Sequence, residues 1–143
     1  MSLILLDSNI LIDLFNDLPA AEDEISYHDN IAISAITWTE VAVKFTPSEM
    51  MRFDSIVRDL PIYVLHTDDA IIREATHLRA RSLVPMYGRR KLKTPDAIIL
   101  ATANVTGRII VTRNGNDFAE ARLPVRVPYQ YSDGVVSRIA PAP

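Results

Sequence analysis

Asp7, Glu40, Asp96 and Asp117 are the residues whose types and surroundings could carry chemistry. Carboxylates gathered in a partly desolvated cleft repel one another, and a hard divalent cation relieves that repulsion. A donor set made only of oxygen points to Mg²⁺ or Mn²⁺ rather than zinc. Such an ion can activate water and stabilise charge on a phosphoryl group, which makes phosphodiester hydrolysis the natural chemistry. His28, His66 and His77 are too scattered for a zinc site and read as surface or interface residues.

Each carboxylate also has a local structural explanation. Asp7 and Asp117 can cap the turns that follow them. Thr37-Trp38-Thr39-Glu40 fits a capping box, with Glu40 reaching back to the cap. Asp96 follows Thr94-Pro95, where a negative side chain complements the helix dipole. Which role applies depends on where the elements put these residues.

Apolar periodicity and Pro/Gly punctuation predict strands over residues 3–6, 31–34, 62–65 and 109–111, with a short fifth strand at 125–127. Helices are predicted over 8–16, 20–27, 37–45, 48–60, from Thr67 or Asp68 to about 83, and from Thr94 to about 106. Met51, Phe53, Ile56, Val57 and Leu60 recur at helical spacing. The stretch 85–93 reads as a basic loop, and Asn114-Gly115-Asn116 as a turn.

Strands alternating with helices imply a three-layer α/β/α sandwich around a mostly parallel four- to five-stranded sheet. In such a sheet the strand C-termini and helix N-termini share one edge, where ligands collect. Asp7 follows strand one, and Glu40 is expected in the first turn of the helix after strand two. Asp96 opens the helix feeding strand four, and Asp117 follows that strand. All four can therefore converge on one rim, where helix N-termini also offer N–H groups to an anion.

The 143 residues suffice for one domain, read as residues 1–127 followed by a C-terminal extension of partial order at 128–143. Pro141 and Pro143 suggest that this tail is irregular and loose. There is no cysteine, which removes disulfides and thiolate chemistry and fits a reducing cytoplasm. Asp7 and Asp13 interrupt the N-terminal apolar run, against a signal peptide or membrane span. Net charge is −8 over residues 1–60 and +5 over 61–127, so the basic second half keeps nucleic acid open as a partner despite an overall −3. Gly88, Gly107, Gly115 and Gly134 form no phosphate-binding loop or dinucleotide fingerprint, and no G-x-S-x-G elbow is present.

The chain resembles PIN-domain nucleases, and among them VapC-type toxins of toxin–antitoxin pairs. The resemblance lies in Leu5-Leu6-Asp7-Ser8-Asn9-Ile10-Leu11-Ile12, Ile33-Ser34-Ala35-Ile36-Thr37-Trp38-Thr39-Glu40-Val41, Pro95-Asp96-Ala97-Ile98-Ile99-Leu100-Ala101-Thr102-Ala103 and Ile110-Val111-Thr112-Arg113-Asn114-Gly115-Asn116-Asp117-Phe118. These four pieces, in this order, run from residue 3 to about 118.

The resemblance implies a Mg²⁺- or Mn²⁺-dependent endoribonuclease that hydrolyses RNA in line and leaves a 5′-phosphate. Asp7, Glu40, Asp96 and Asp117 match its metal-binding and catalytic carboxylates. Asn9, Thr112 and Asn114 match polar positions that support them. Arg89, Arg90, Lys91 and Lys93 flank Asp96 in sequence and are candidates for holding RNA phosphates, or else belong to a solvated connector. The resemblance also implies a homodimer and a VapB-like antitoxin. Trp38, Phe45, Met50, Met51 and Phe53 could meet a partner helix, although core packing is the simpler expectation. A PIN nuclease of RNA processing without an antitoxin, and a non-catalytic PIN scaffold, are the competing readings.

Overall fold

The computed structural model describes residues 3–84 and 90–143. Four short strands, β1 (Leu3–Leu6), β2 (Asn30–Ser34), β3 (Ile62–Leu65) and β4 (Ile109–Val111), form one sheet in the order β3-β2-β1-β4. All three pairings are parallel, with Leu5 opposite both Ala32 and Ile110. β1, flanked on both sides, is the central strand expected of its unbroken apolar run.

Strand alternation builds the two cores. Ile4, Leu6, Ile31, Ile33 and Val111 face one side, while Leu5, Ala32 and Ile110 face the other. The first side is covered by α1 (Ser8–Phe15), α2 (Pro19–Ser26), α3 (Ala35–Ala42) and α4 (Pro47–Asp59). The second is covered by α5 (Asp69–Ser82) and α6 (Thr94–Thr106). The result is the expected three-layer sandwich. α6 ends at Gly107, whose φ of 68° is the left-handed geometry that a glycine tolerates.

The expected fifth strand is reduced to one parallel bridge between Val111 and Arg126. Arg126 N–H donates to the Ile110 carbonyl at 2.9 Å, and Thr112 N–H donates to the Arg126 carbonyl at 3.1 Å.

The tail is irregular over residues 138–143, where Pro141 and Pro143 lie, but not from Pro128 onward as expected. β5 (Gln130–Ser132) and β6 (Val135–Ser137) pair antiparallel as a hairpin. Tyr129, immediately before it, is 1% exposed in the first core. Tyr131 and Val136 of the hairpin, which pair with each other, also pack against that core, so Tyr129 and the hairpin anchor the tail together.

Trp38 of α3, Phe45 in the connection that follows it and Phe53 of α4 resolve as core packing. Trp38 lies 4.5 Å from Phe53 between ring centroids, and Phe45 lies 4.5 Å from Phe15. Met50 packs against the same cluster, whereas Met51 is 72% exposed despite its helical spacing. No helix among the described residues is long and apolar enough to cross a membrane.

Candidate active site

Asp7 directly follows the apolar run of β1 and is the cap of α1. Its N–H continues the ladder to the Val111 carbonyl at 3.0 Å, and its Oδ1 accepts from Ser8 N–H at 2.8 Å. Oδ2 accepts from the Thr112 hydroxyl at 2.8 Å and from the Asn9 amide at 3.4 Å. The cap and the site are therefore one residue using two oxygens. Asp7 is only 6% exposed, and burial pushes its carboxyl above the ordinary range against the pull of these bonds; the Asp117 charge adds to the rise.

The capping-box reading of Glu40 is not what the chain adopts. Ser34 ends β2 and caps α3, its hydroxyl accepting from Ile36 N–H at 3.2 Å. The helix thus starts two residues before Thr37, which is buried within it. Glu40 lies in the second turn rather than the first, with its carboxylate free of hydrogen bonds among the described residues. Partial desolvation and then the charges of Asp7 and Asp96 push it upward.

Asp96 stands in the first turn of α6, after Pro95, as expected. Its carboxyl is raised by burial first and by Asp7 and Asp117 next, while Lys93 and Arg90 oppose the rise. Asp117 sits in the short 3₁₀ turn Gly115–Phe118 and accepts from Arg90 Nη1 at 3.1 Å. The four carboxylates are thus linked by repulsion: Asp7 acts on Glu40 and Asp96, and Asp117 acts on Asp7 and Asp96.

A tight polar layer supports Asp7. The Thr112 hydroxyl has one proton, given to Asp7, and accepts from Asn9 Nδ2 at 3.2 Å and from Asn114 N–H at 3.0 Å. Asn9 Oδ1 accepts from Arg113 N–H at 3.1 Å, so its amide ties the first turn of α1 to the segment after β4. Asn114 contributes through its backbone, and its side chain is exposed.

The basic residues gather beside the acids. Arg90, Lys91 and Lys93 line a cavity of about 580 Å³ that Asp96 and Asp117 also wall. Arg89 lies outside the described residues.

Periodicity alone did not reveal two buried ionic groups. Asp13 is 4% exposed on α1 and takes Arg113 Nε at 2.9 Å and Nη2 at 3.3 Å. The Tyr129 hydroxyl donates to the same carboxylate at 2.7 Å, and Gln130 donates to the Arg113 carbonyl at 3.2 Å. The tail therefore clamps the Thr112–Asn114 segment that supports Asp7. The available sequence signal was Asp13, an acid inside the apolar stripe of α1. In the second group, Glu24 accepts from Arg126 at 2.7 and 2.8 Å and pairs with His28 at 2.7 Å. His28 is buried, correcting its reading as a surface residue, while His66 and His77 are exposed.

Among the described residues no three acidic or histidine side chains are closed to the spacing of a ready-made metal cage. Mg²⁺ keeps several waters and takes one or two direct carboxylates, so a looser set suits it. Asp96 and Glu40 retain unbonded oxygens, and Asp7 still has lone pairs to offer. The donor chemistry fits a hard divalent ion.

Comparison with known proteins agrees with the fold. The PIN domain family model matches residues 4–123. A chain of a toxin–antitoxin complex from Klebsiella pneumoniae is 34% identical, with a TM-score of 0.70 over 90% of this chain and 99% of that one. The FitAcB structure from Neisseria gonorrhoeae is 20% identical, with a TM-score of 0.68 over 86% of this chain and 96% of that one. VapC20 of Mycobacterium tuberculosis, a sarcin-ricin loop cleaving toxin, is 16% identical, with a TM-score of 0.62 over 87% of this chain and 99% of that one. No curated protein is significantly similar in sequence. The match across most of its length shows that this chain belongs to the PIN domain family.

Proposed function

We propose that this protein is a Mg²⁺- or Mn²⁺-dependent endoribonuclease and the toxin of a type II toxin–antitoxin pair. The observation that carries the nuclease reading is the mutual repulsion of Asp7, Glu40, Asp96 and Asp117 at one sheet edge. A fold pays stability for such an arrangement where function requires it.

Asp7, Asp96, Glu40 and Asp117 would hold the ion. When bound it would supply charge stabilisation on the scissile phosphate and an activated water. Thr112 and Asn9 fix the rotamer of Asp7 through its Oδ2. Arg90, Lys91 and Lys93 would hold RNA phosphates beside the acids. Arg90 pairs with Asp117, and its side chain is 75% exposed, within reach of solvent-borne phosphate.

The toxin reading is supported by the Klebsiella pneumoniae likeness, which belongs to a toxin–antitoxin complex. A VapB-like antitoxin, a homodimer and a cytoplasmic site of action follow as part of the proposal. Expression without a partner, followed by sequencing of 5′-phosphate RNA ends, tests it. Growth arrest with cuts at a defined site is expected. Normal growth with no new RNA ends would contradict the toxin reading.

A further inference from the structure

Arg113 holds α1 at two points one helical turn apart. Its backbone N–H donates to Asn9 Oδ1 at 3.1 Å, and its guanidinium reaches the Asp13 carboxylate at 2.9 and 3.3 Å. Asn9 and Asp13 are four residues apart, so they share one face of the helix. Two contacts from one residue fix both the height and the rotation of α1 against the segment after β4. The first of them leads into the carboxylate rim. The Asn9 amide donates to Asp7 Oδ2 at 3.4 Å and to the Thr112 hydroxyl at 3.2 Å.

Arg113 is in turn held by the tail. Gln130 Nε2 donates to the Arg113 carbonyl at 3.2 Å, and Arg113 Nη1 donates to the Tyr131 carbonyl at 3.4 Å. The guanidinium carbon lies 5.8 Å from the centre of the Tyr131 ring, within the range of a cation–π contact. The Tyr129 hydroxyl donates at 2.7 Å to the same Asp13 oxygen that takes Arg113 Nε. Asp13 and Tyr129 are both buried, so these bonds form away from water.

A tail that served stability alone needs only its apolar contacts, and Tyr129, Tyr131 and Val136 already pack against the first core. A buried carboxylate with its polar partners contributes no more stability than well-packed apolar groups of the same volume. The polar contacts of the tail instead converge on Arg113, and Arg113 leads to Asn9 beside Asp7.

We propose that residues 129–131 position the carboxylate rim: through Arg113 and Asn9 they hold the Asp7 carboxylate in the orientation that binds the divalent ion. This rests on the nuclease reading and extends the working site to a segment beyond residue 123, where the match to the PIN domain model stops.

The test compares the full-length wild-type chain with Tyr129→Phe, Asn9→Ala, the double variant and Ile62→Val. Ile62→Val trims the core at β3, the edge strand farthest from β4, and costs stability of the same order as the lost hydroxyl bond. Mg²⁺ affinity is read by calorimetric titration, and kcat and KM on a mapped RNA target, at a temperature where circular dichroism shows every variant folded. Tyr129→Phe is expected to weaken Mg²⁺ binding and lower kcat by about 10-fold each, with KM changed less than about 2-fold. In the Asn9→Ala background the same change is expected to have an effect of less than about 2-fold, because the route to Asp7 is already cut. Ile62→Val is expected to match wild type in both readouts. Wild-type Mg²⁺ affinity and kcat in Tyr129→Phe, equal losses in Ile62→Val, or a full effect persisting without the Asn9 amide would overturn the positioning role while leaving the nuclease reading standing. A wild-type chain that binds no Mg²⁺ and cuts no RNA would overturn both.

Discussion

The Thr112 hydroxyl donates to Asp7 Oδ2 at 2.8 Å across two strands, and Thr112 is fully buried. That single bond links the residue after β1 to the residue after β4. It also fixes the direction of every other bond to Thr112, since its one proton is committed.

Thr112→Val removes this donor and leaves the Asn9 amide and Asn114 N–H without their acceptor. We expect a stability loss of about 1–3 kcal/mol, together with a large fall in RNA cleavage. Thr112→Ser, which keeps the hydroxyl, should recover most of both. Denaturant titrations and cleavage rates of the two variants check this.

The tail makes its own prediction. Tyr129→Phe deletes the hydroxyl bond to Asp13 at 2.7 Å and leaves Arg113 as the remaining partner of that buried carboxylate. A loss of about 1–2 kcal/mol is expected. Arg113→Lys should cost more, because an ammonium cannot replace the two-pronged guanidinium contact. If the tail were a loose appendage, Tyr129→Phe would leave the unfolding midpoint unchanged.

Asp96 should be a place where function opposes stability. Its carboxyl is raised by burial and by its acidic neighbours. A raised acid favours the folded state below its ordinary pKa, and the gain is lost as pH rises through the elevated folded value. At neutral pH without divalent ions the charged group is therefore a cost. Asp96→Asn should raise the neutral-pH Tm by about 2–5 °C and weaken its dependence on Mg²⁺, while abolishing cleavage. Calorimetric scans with and without Mg²⁺ read both effects.

Glu24 behaves in the opposite sense. Burial alone would raise its carboxyl, but bonds from His28 and Arg126 outweigh burial and hold it below the ordinary range. Its contribution is thus present above the ordinary glutamate pKa and lost as pH falls through the depressed folded value. Glu24→Gln leaves Arg126 partly buried without a counter-charge and should cost about 3–5 kcal/mol at pH 7. The difference from wild type should shrink as the solution is acidified, which denaturation at a series of pH values would show.

The parts of the fold visible in the sequence were those set by local pattern. Apolar runs that begin just after Pro61 and Gly107 gave β3 and β4 their observed bounds, and the topology they imply placed Asp7, Asp96 and Asp117 on one rim. Glu40 reached the same rim, but a strand-end serine, rather than Thr37, capped its helix. Either hydroxyl satisfies the capping preference, so sequence alone could not choose between them. The β5–β6 hairpin is local, with Asp133-Gly134 as its turn signal, but the Asp13–Arg113 and Asp13–Tyr129 contacts join residues 100 and 116 positions apart. No periodicity within one segment reports such a contact. Polar residues buried through distant partners look like surface residues until the partners are placed, as His28 shows.

The central claim is that the carboxylate rim cleaves RNA with a divalent ion. The most direct measurement is the cleavage rate of a mapped RNA target by the wild-type chain, Asp7→Asn and Asp96→Asn, with Mg²⁺ and with EDTA. Mg²⁺-dependent cleavage by wild type alone, with both variants folded and inactive, is the predicted result. Equal cleavage by all three, or cleavage undiminished by EDTA, would contradict it.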